Sequence, residues 1–160
     1  MEENYLIDIN IEKKYELQQS DAIHRYEIIG NKTFDAKVGE VHYDIALVFT
    51  ENDDWYHGSA VATFNAKNLP EGPIWIDVKA TKIFQMKCNG VKTRNMVFDN
   101  RRVFLPNIVL GKNVVEIHYE NNYSNDGTGL HKYIDPEDKL TYLYSQFEAF
   151  YAHKCFPCFD

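Results

Sequence analysis

Few side chains in this sequence are of a type and spacing that could do chemistry, and each is tested first on what its neighbours allow. The histidines stand at 24, 42, 57, 118, 131 and 153, with no H-x-x-x-H pair to set two imidazoles on one helical face and no H-E-x-x-H. Cys155-Phe156-Pro157-Cys158 has the spacing of a thiol–disulfide motif. Such a motif works when the first thiol opens a helix that lowers its pKa, in a βαβ setting. Only Phe159 and Asp160 follow it here, so the redox reading lacks its context and a pair of small apolar residues at a Pro-containing turn is expected. Gly127-Thr128-Gly129 lacks the third glycine and following helix of a phosphate loop, and no G-x-S-x-G elbow is present.

Gln146 and Glu148 differ in kind. In a strand of period two, Tyr144, Gln146 and Glu148 share one face while Leu143, Ser145 and Phe147 share the other. A carboxylate beside an amide can orient a small cation, the first by a charge-assisted hydrogen bond and the second by fixing direction. The other reading is that both face water, as exposed Gln and Glu commonly do. The residues alone leave both open.

The elements that must position these groups read as strands. Aromatic content is high, with 11 Tyr, 10 Phe and 2 Trp, which favours β-structure. Residues 1–40 are polar and mixed, a lead-in with weak helical periodicity over Ile11–Leu17. From Val41 the texture changes to alternation: Tyr43, Ile45, Leu47 and Phe49 against Asp44, Ala46 and Val48. Further strands are expected over Gly58–Phe64, Ile74–Val78, Lys82–Lys87, Val91–Phe98, Val103–Leu105, Ile108–Leu110, Val114–Tyr119 and Leu140–Glu148. Asn89-Gly90 suits a tight hairpin, Glu120–Gly129 reads as a loop, and Ala149–Lys154 as a single helical turn. This pattern predicts an all-β chain, its strands forming a β-sandwich or a barrel.

Bulk properties exclude several classes. Seventeen basic against 24 acidic residues give −7, so the chain would repel phosphate backbones and no nucleic-acid partner is expected. No apolar run approaches the roughly 18 residues of a membrane span, and Met1-Glu2-Glu3-Asn4 is unlike a signal peptide, so the expected location is cytoplasmic. Three cysteines, an odd number, suit a reducing compartment.

The last third of the chain carries a resemblance. Gly127-Thr128-Gly129-Leu130-His131-Lys132-Tyr133-Ile134-Asp135-Pro136, then Tyr142-Leu143-Tyr144-Ser145-Gln146-Phe147-Glu148, then Ala152 and Phe156-Pro157-Cys158-Phe159-Asp160, resembles the aminopeptidase N family of zinc metallopeptidases. Tyr43-Asp44-Ile45, Gly58, Phe64, Asn89-Gly90 and Leu110-Gly111-Lys112-Asn113-Val114-Val115 fit the same family upstream. The resemblance implies a saddle-like, antiparallel amino-terminal β-sandwich over residues 41–160 preceding a thermolysin-like catalytic domain, with Gln146 and Glu148 binding the α-amine of a peptide substrate. Zinc is then expected in the full-length enzyme and not in this chain, which lacks the G-A-M-E-N segment, the H-E-x-x-H helix, the distal glutamate ligand and the catalytic tyrosine. The resemblance further implies a sandwich incomplete at its carboxyl end, no catalytic residue in this chain, and partners that are peptides with a free amino terminus and the missing catalytic domain. A non-catalytic binding or scaffold module is the alternative.

Overall fold

The structure, a computed structural model, describes residues 4–13, 38–50, 52–67, 69 and 74–159. Ten strands are described: β1 (Asn4–Lys13), β2 (Val38–Thr50), β3 (Trp55–Ala66), β4 (Ile74–Asp77), β5 (Lys82–Cys88), β6 (Val91–Lys92), β7 (Arg102–Leu105), β8 (Gly111–Asn122), β9 (Gly129–Ile134) and β10 (Thr141–Gln146), followed by a 3-10 turn at Ala152–Lys154. All named strand pairs are antiparallel. The main sheet has the order β1-β2-β3-β8-β5-β6, and β4–β7 and β9–β10 form two smaller pairs. Among the described residues no helix is long and apolar enough to cross a membrane.

The alternation in β2 makes the core. Tyr43, Ile45, Leu47 and Phe49 are buried on one face, joined by Tyr56, Ala60, Ala62 and Phe64 from β3 and Val115, Ile117 and Tyr119 from β8. Against this face lie Ile74 and Ile76 of β4, Val103 and Leu105 of β7, and the terminal segment Cys155, Phe156 and Cys158, all in one hydrophobic cluster. Each such buried side chain contributes roughly 1.5–3 kcal/mol. The second layer is widened by the terminal segment itself: Asp77 N donates to Cys158 O and Cys158 N to Asp77 O, both at 2.9 Å.

Two polar devices hold this arrangement. The hydroxyls of Tyr56 and Tyr119 both donate to the carbonyl of Cys155, at 2.9 and 2.8 Å. Asn121 Nδ2 donates to Lys154 O at 2.8 Å, so two successive carbonyls of the segment are met by side chains of β3 and β8. Burial pushes both tyrosine hydroxyls well above their ordinary pKa, which keeps them as donors at any physiological pH. Elsewhere Asn113, fully buried, accepts from Asn89 Nδ2 and Val109 N through Oδ1 and donates to Val109 O and Gly111 O through Nδ2. Every hydrogen-bonding site of that amide is used.

Several expectations are corrected. Ile11–Lys13 lie in a strand, paired to Val41–Tyr43, and not in a helical turn; Lys14–Leu17 lie outside the described residues. Beyond Lys92 the expected strand to Phe98 stops, leaving an isolated Phe98–Val103 bridge. Ile108–Leu110 forms no strand because the Asn113 side chain takes the backbone groups of Val109 that a ladder would use. The loop expected from Glu120 begins later, since β8 continues to Asn122. Asn89 and Gly90, with φ of 51° and 79°, make the tight turn that their types predict.

Gly58 faces Tyr119 directly across β3 and β8, and a Cβ at Gly58 would sit 2.1 Å from the Tyr119 ring. The ring needs that space to reach Cys155. Gly58→Ala is therefore expected to lower stability by about 3 kcal/mol through overpacking, read as a shift in urea midpoint at unchanged slope; a wild-type midpoint would show that Tyr119 is not held in this way.

Candidate functional site

The site is built on β9 and β10, whose register sets Gly129 opposite Gln146, His131 opposite Tyr144 and Tyr133 opposite Tyr142. Opposed residues share a face. One face of the hairpin therefore presents His131, Tyr133, Tyr142, Tyr144 and Gln146. The other carries Leu130, which is buried, and Leu143, which packs against the core with the following Phe147. The hairpin closes through two short side-chain turns: Asp135 Oδ1 accepts from Glu137 N and Asp138 Oδ1 from Leu140 N, each at 2.7 Å.

Strand β10 ends at Gln146, so Glu148 lies in the turn after it, not in the strand that the sequence pattern extends to that residue. The two side chains still come from neighbouring positions, and both residues are exposed. Gln146 Oε1 accepts from the backbone N–H of Glu148 at 2.8 Å. That donor fixes the amide orientation, since only the oxygen can accept. The second lone pair of Oε1 remains available to another donor. The turn continues with Tyr151 N donating to Phe147 O at 3.0 Å and passes into the 3-10 turn whose end is held by Tyr56, Tyr119 and Asn121. The position of Glu148 is thus set from both sides, by the hairpin and by the core.

A second brace was not singled out from the sequence. Lys154 Nζ donates to Thr128 Oγ1 at 2.5 Å and Asp126 Oδ2 at 3.2 Å, while Thr128 donates to Asp126 Oδ1 through both its backbone N–H and its hydroxyl. The loop before β9 is held to the 3-10 turn in this way. The Thr128 hydroxyl and backbone N–H, with Lys154 beyond them, hold the Asp126 carboxyl below the usual carboxylate range. A lowered pKa in the folded chain stabilises above the unfolded carboxylate value near 3.9 and is lost as pH falls through the folded one. The Thr128 amide resonance should therefore stay fixed from pH 7 to 4 and move only under more acidic conditions. A midpoint at or above 4 in an NMR titration would contradict the brace.

The other candidates resolve differently. Cys155, Pro157 and Cys158 are buried, and burial pushes the Cys155 thiol up to about 12 and the Cys88 thiol up to about 11. This is the reverse of the lowered pKa that a redox thiol needs, so the C-x-P-C spacing serves packing. Maleimide labelling of Cys155 at pH 8 is expected to be at least about a thousandfold slower in the native protein than in denaturant, because its thiolate is scarce and covered; comparable rates would overturn the burial. Among the described residues no group of three or more His, Cys, Asp or Glu could hold a metal ion. Three of the described histidines pair locally: His118 with Glu116 at 2.7 Å, His57 with Glu120 at 3.3 Å, and His131 Nδ1 accepting from Gly127 N at 3.1 Å.

This antiparallel architecture is shared with solved chains. Leukotriene A4 hydrolase from Saccharomyces cerevisiae superposes with a TM-score of 0.53 at 18% identity, covering 66% of this chain and 18% of that one, a likeness of fold. The Peptidase M1 N-terminal domain family matches residues 40–160, and the chain belongs to that family. Aminopeptidase N of Streptomyces lividans is 34% identical over 124 residues, 77% of this chain and 14% of its own length. Aminopeptidase N of Lactobacillus helveticus is 27% identical over 125 residues, 74% of this chain and again 14% of that protein. The chain thus spans 14% of the length of the curated relatives that it matches.

Proposed function

We propose that this chain is the substrate-binding sandwich of a zinc aminopeptidase, in which Glu148 pairs with the α-ammonium of a peptide and Gln146 accepts a second hydrogen bond from it. The observation that carries the reading is the hydrogen bond from the Glu148 backbone N–H to Gln146 Oε1, which sets the amide oxygen against the backbone of the residue that bears the carboxylate, at an exposed strand end. An ammonium has three donors and no acceptor, so a carboxylate with an amide oxygen beside it is a complementary pair. Fixing the amino end of a peptide also fixes the distance to its first peptide bond. That distance makes an exopeptidase.

Zinc would supply a Lewis acid and an activated water to the whole enzyme. The described residues of this chain do not fit it. The role assigned to these residues is therefore to bind and orient the amine, with the hydrolytic chemistry provided by a catalytic domain. The 160-residue chain alone is expected to show no turnover of aminoacyl chromogenic substrates.

In an enzyme that contains this sandwich and its catalytic domain, Glu148→Ala should lower kcat/KM by about 10- to 100-fold, the worth of one charge-assisted hydrogen bond. Both a higher KM and a lower kcat are expected, because the amine anchor also aligns the carbonyl. Steady-state kinetics on an aminoacyl anilide would measure this, and unchanged constants would return Glu148 to a water-facing role.

A further inference from the structure

We propose that Tyr144 is a specificity-determining residue of the amine site, its ring forming the wall on which the side chain of the ligand's first residue rests. The proposal deepens the amine-anchor reading and rests on it. Three observations meet at this residue. Tyr144 lies two positions before Gln146 in β10, so both side chains leave the same face of the hairpin. Its ring stacks on that of His131, with centroids 4.6 Å apart and planes 27° from parallel. His131 is in turn oriented by the N–H of Gly127, which donates to Nδ1. A tyrosine backed in this manner loses little further freedom on meeting a ligand, which is what makes rigid aromatic side chains effective contact surfaces.

The residue is also available. Tyr144 remains 48% exposed although one side of its ring is covered by His131. Tyr142, the next on this face, donates its hydroxyl to Asp138 Oδ2 at 2.8 Å, toward the hairpin's closed end and away from Gln146. Of the three exposed tyrosines on the face, Tyr144 is the one next to the anchor. An apolar or aromatic first residue would cover this ring once its ammonium is held by Glu148, whereas a glycine would leave the ring in water. The site then favours large apolar first residues over small ones.

The 160-residue chain tests this with three ligands: glycinamide, which offers the ammonium alone, phenylalaninamide, which adds the aromatic side chain, and N-acetylphenylalaninamide, which lacks the ammonium. Binding is read from amide shifts of Gln146 and Glu148 in ¹⁵N-resolved NMR at millimolar ligand. Phenylalaninamide is expected to bind about tenfold more tightly than glycinamide. Tyr144→Ala should bring that ratio to within about twofold of one without altering the glycinamide constant, while Tyr144→Phe should keep it. A preference that survives in Tyr144→Ala, an equal loss for both amides in a variant whose spectrum stays folded, or no preference in the wild-type chain overturns the proposal. Glu148→Gln separates the two readings. If glycinamide then binds as before, or if N-acetylphenylalaninamide binds as well as phenylalaninamide, the anchor assignment fails and the proposal that rests on it falls too; if glycinamide weakens in Glu148→Gln but the preference survives in Tyr144→Ala, the Tyr144 proposal alone is overturned.

Discussion

One carbonyl oxygen organises this protein. The oxygen of Cys155 accepts from Tyr56 and from Tyr119, which come from adjacent strands of the main sheet, and a buried carbonyl left without such donors would cost about 1–3 kcal/mol. Satisfying it requires both long side chains to lie inward under the terminal segment. That in turn requires Gly58 to have no side chain, and it brings Phe156 and Cys158 into the core, where Cys158 completes a bridge to β4. The two layers are therefore coupled by hydrogen bonds as well as by apolar contact.

The surface site inherits its order from this buried one. Glu148 stands in the turn that leads directly into the 3-10 turn, and the 3-10 turn ends at the carbonyl that the tyrosines hold. From the other direction, Lys154 reaches back to Asp126 and Thr128 and so steadies the loop that begins β9. An exposed carboxylate on an unsupported loop would be a diffuse charge. Here the same few residues that close the core also set where that charge is presented.

How far the sequence foretells this depends on whether a feature is local. The alternation in Tyr43–Phe49 and Val115–Tyr119 foretells β2 and β8, because burial on one face leaves a period-two record; Asn89-Gly90 foretells its turn because only certain residues accept positive φ. The register of β9 was not legible. One of its faces carries His131 and Tyr133 and the other carries Leu130, Lys132 and Ile134, of which Ile134 is exposed, so hydrophobicity does not alternate. Strand β1 was legible and was passed over: Ile7, Ile9 and Ile11 alternate with Asp8, Asn10 and Glu12, the record of a strand, while the helical reading of Ile11–Leu17 rested on weak periodicity. For the site, the shared face of Tyr144 and Gln146 was visible as spacing, but the end of β10 before Glu148 was not, since it depends on a hydrogen bond between a side chain and the backbone two residues later. The links from Tyr56 and Tyr119 to Cys155 leave no local trace at all.

The separation between Tyr56 and Cys155, 99 positions along the chain, has a consequence for biosynthesis. At translation rates of roughly 5–20 residues per second, some five to twenty seconds pass between the emergence of the first partner and that of the second. Strands β4 and β7 emerge within that interval and cover part of the inner face, but Tyr56, and Tyr119 once β8 has followed, lack until its end the acceptor that they have in the folded chain. The part of the apolar face that Cys155, Phe156 and Cys158 cover in the folded chain stays exposed until that segment follows.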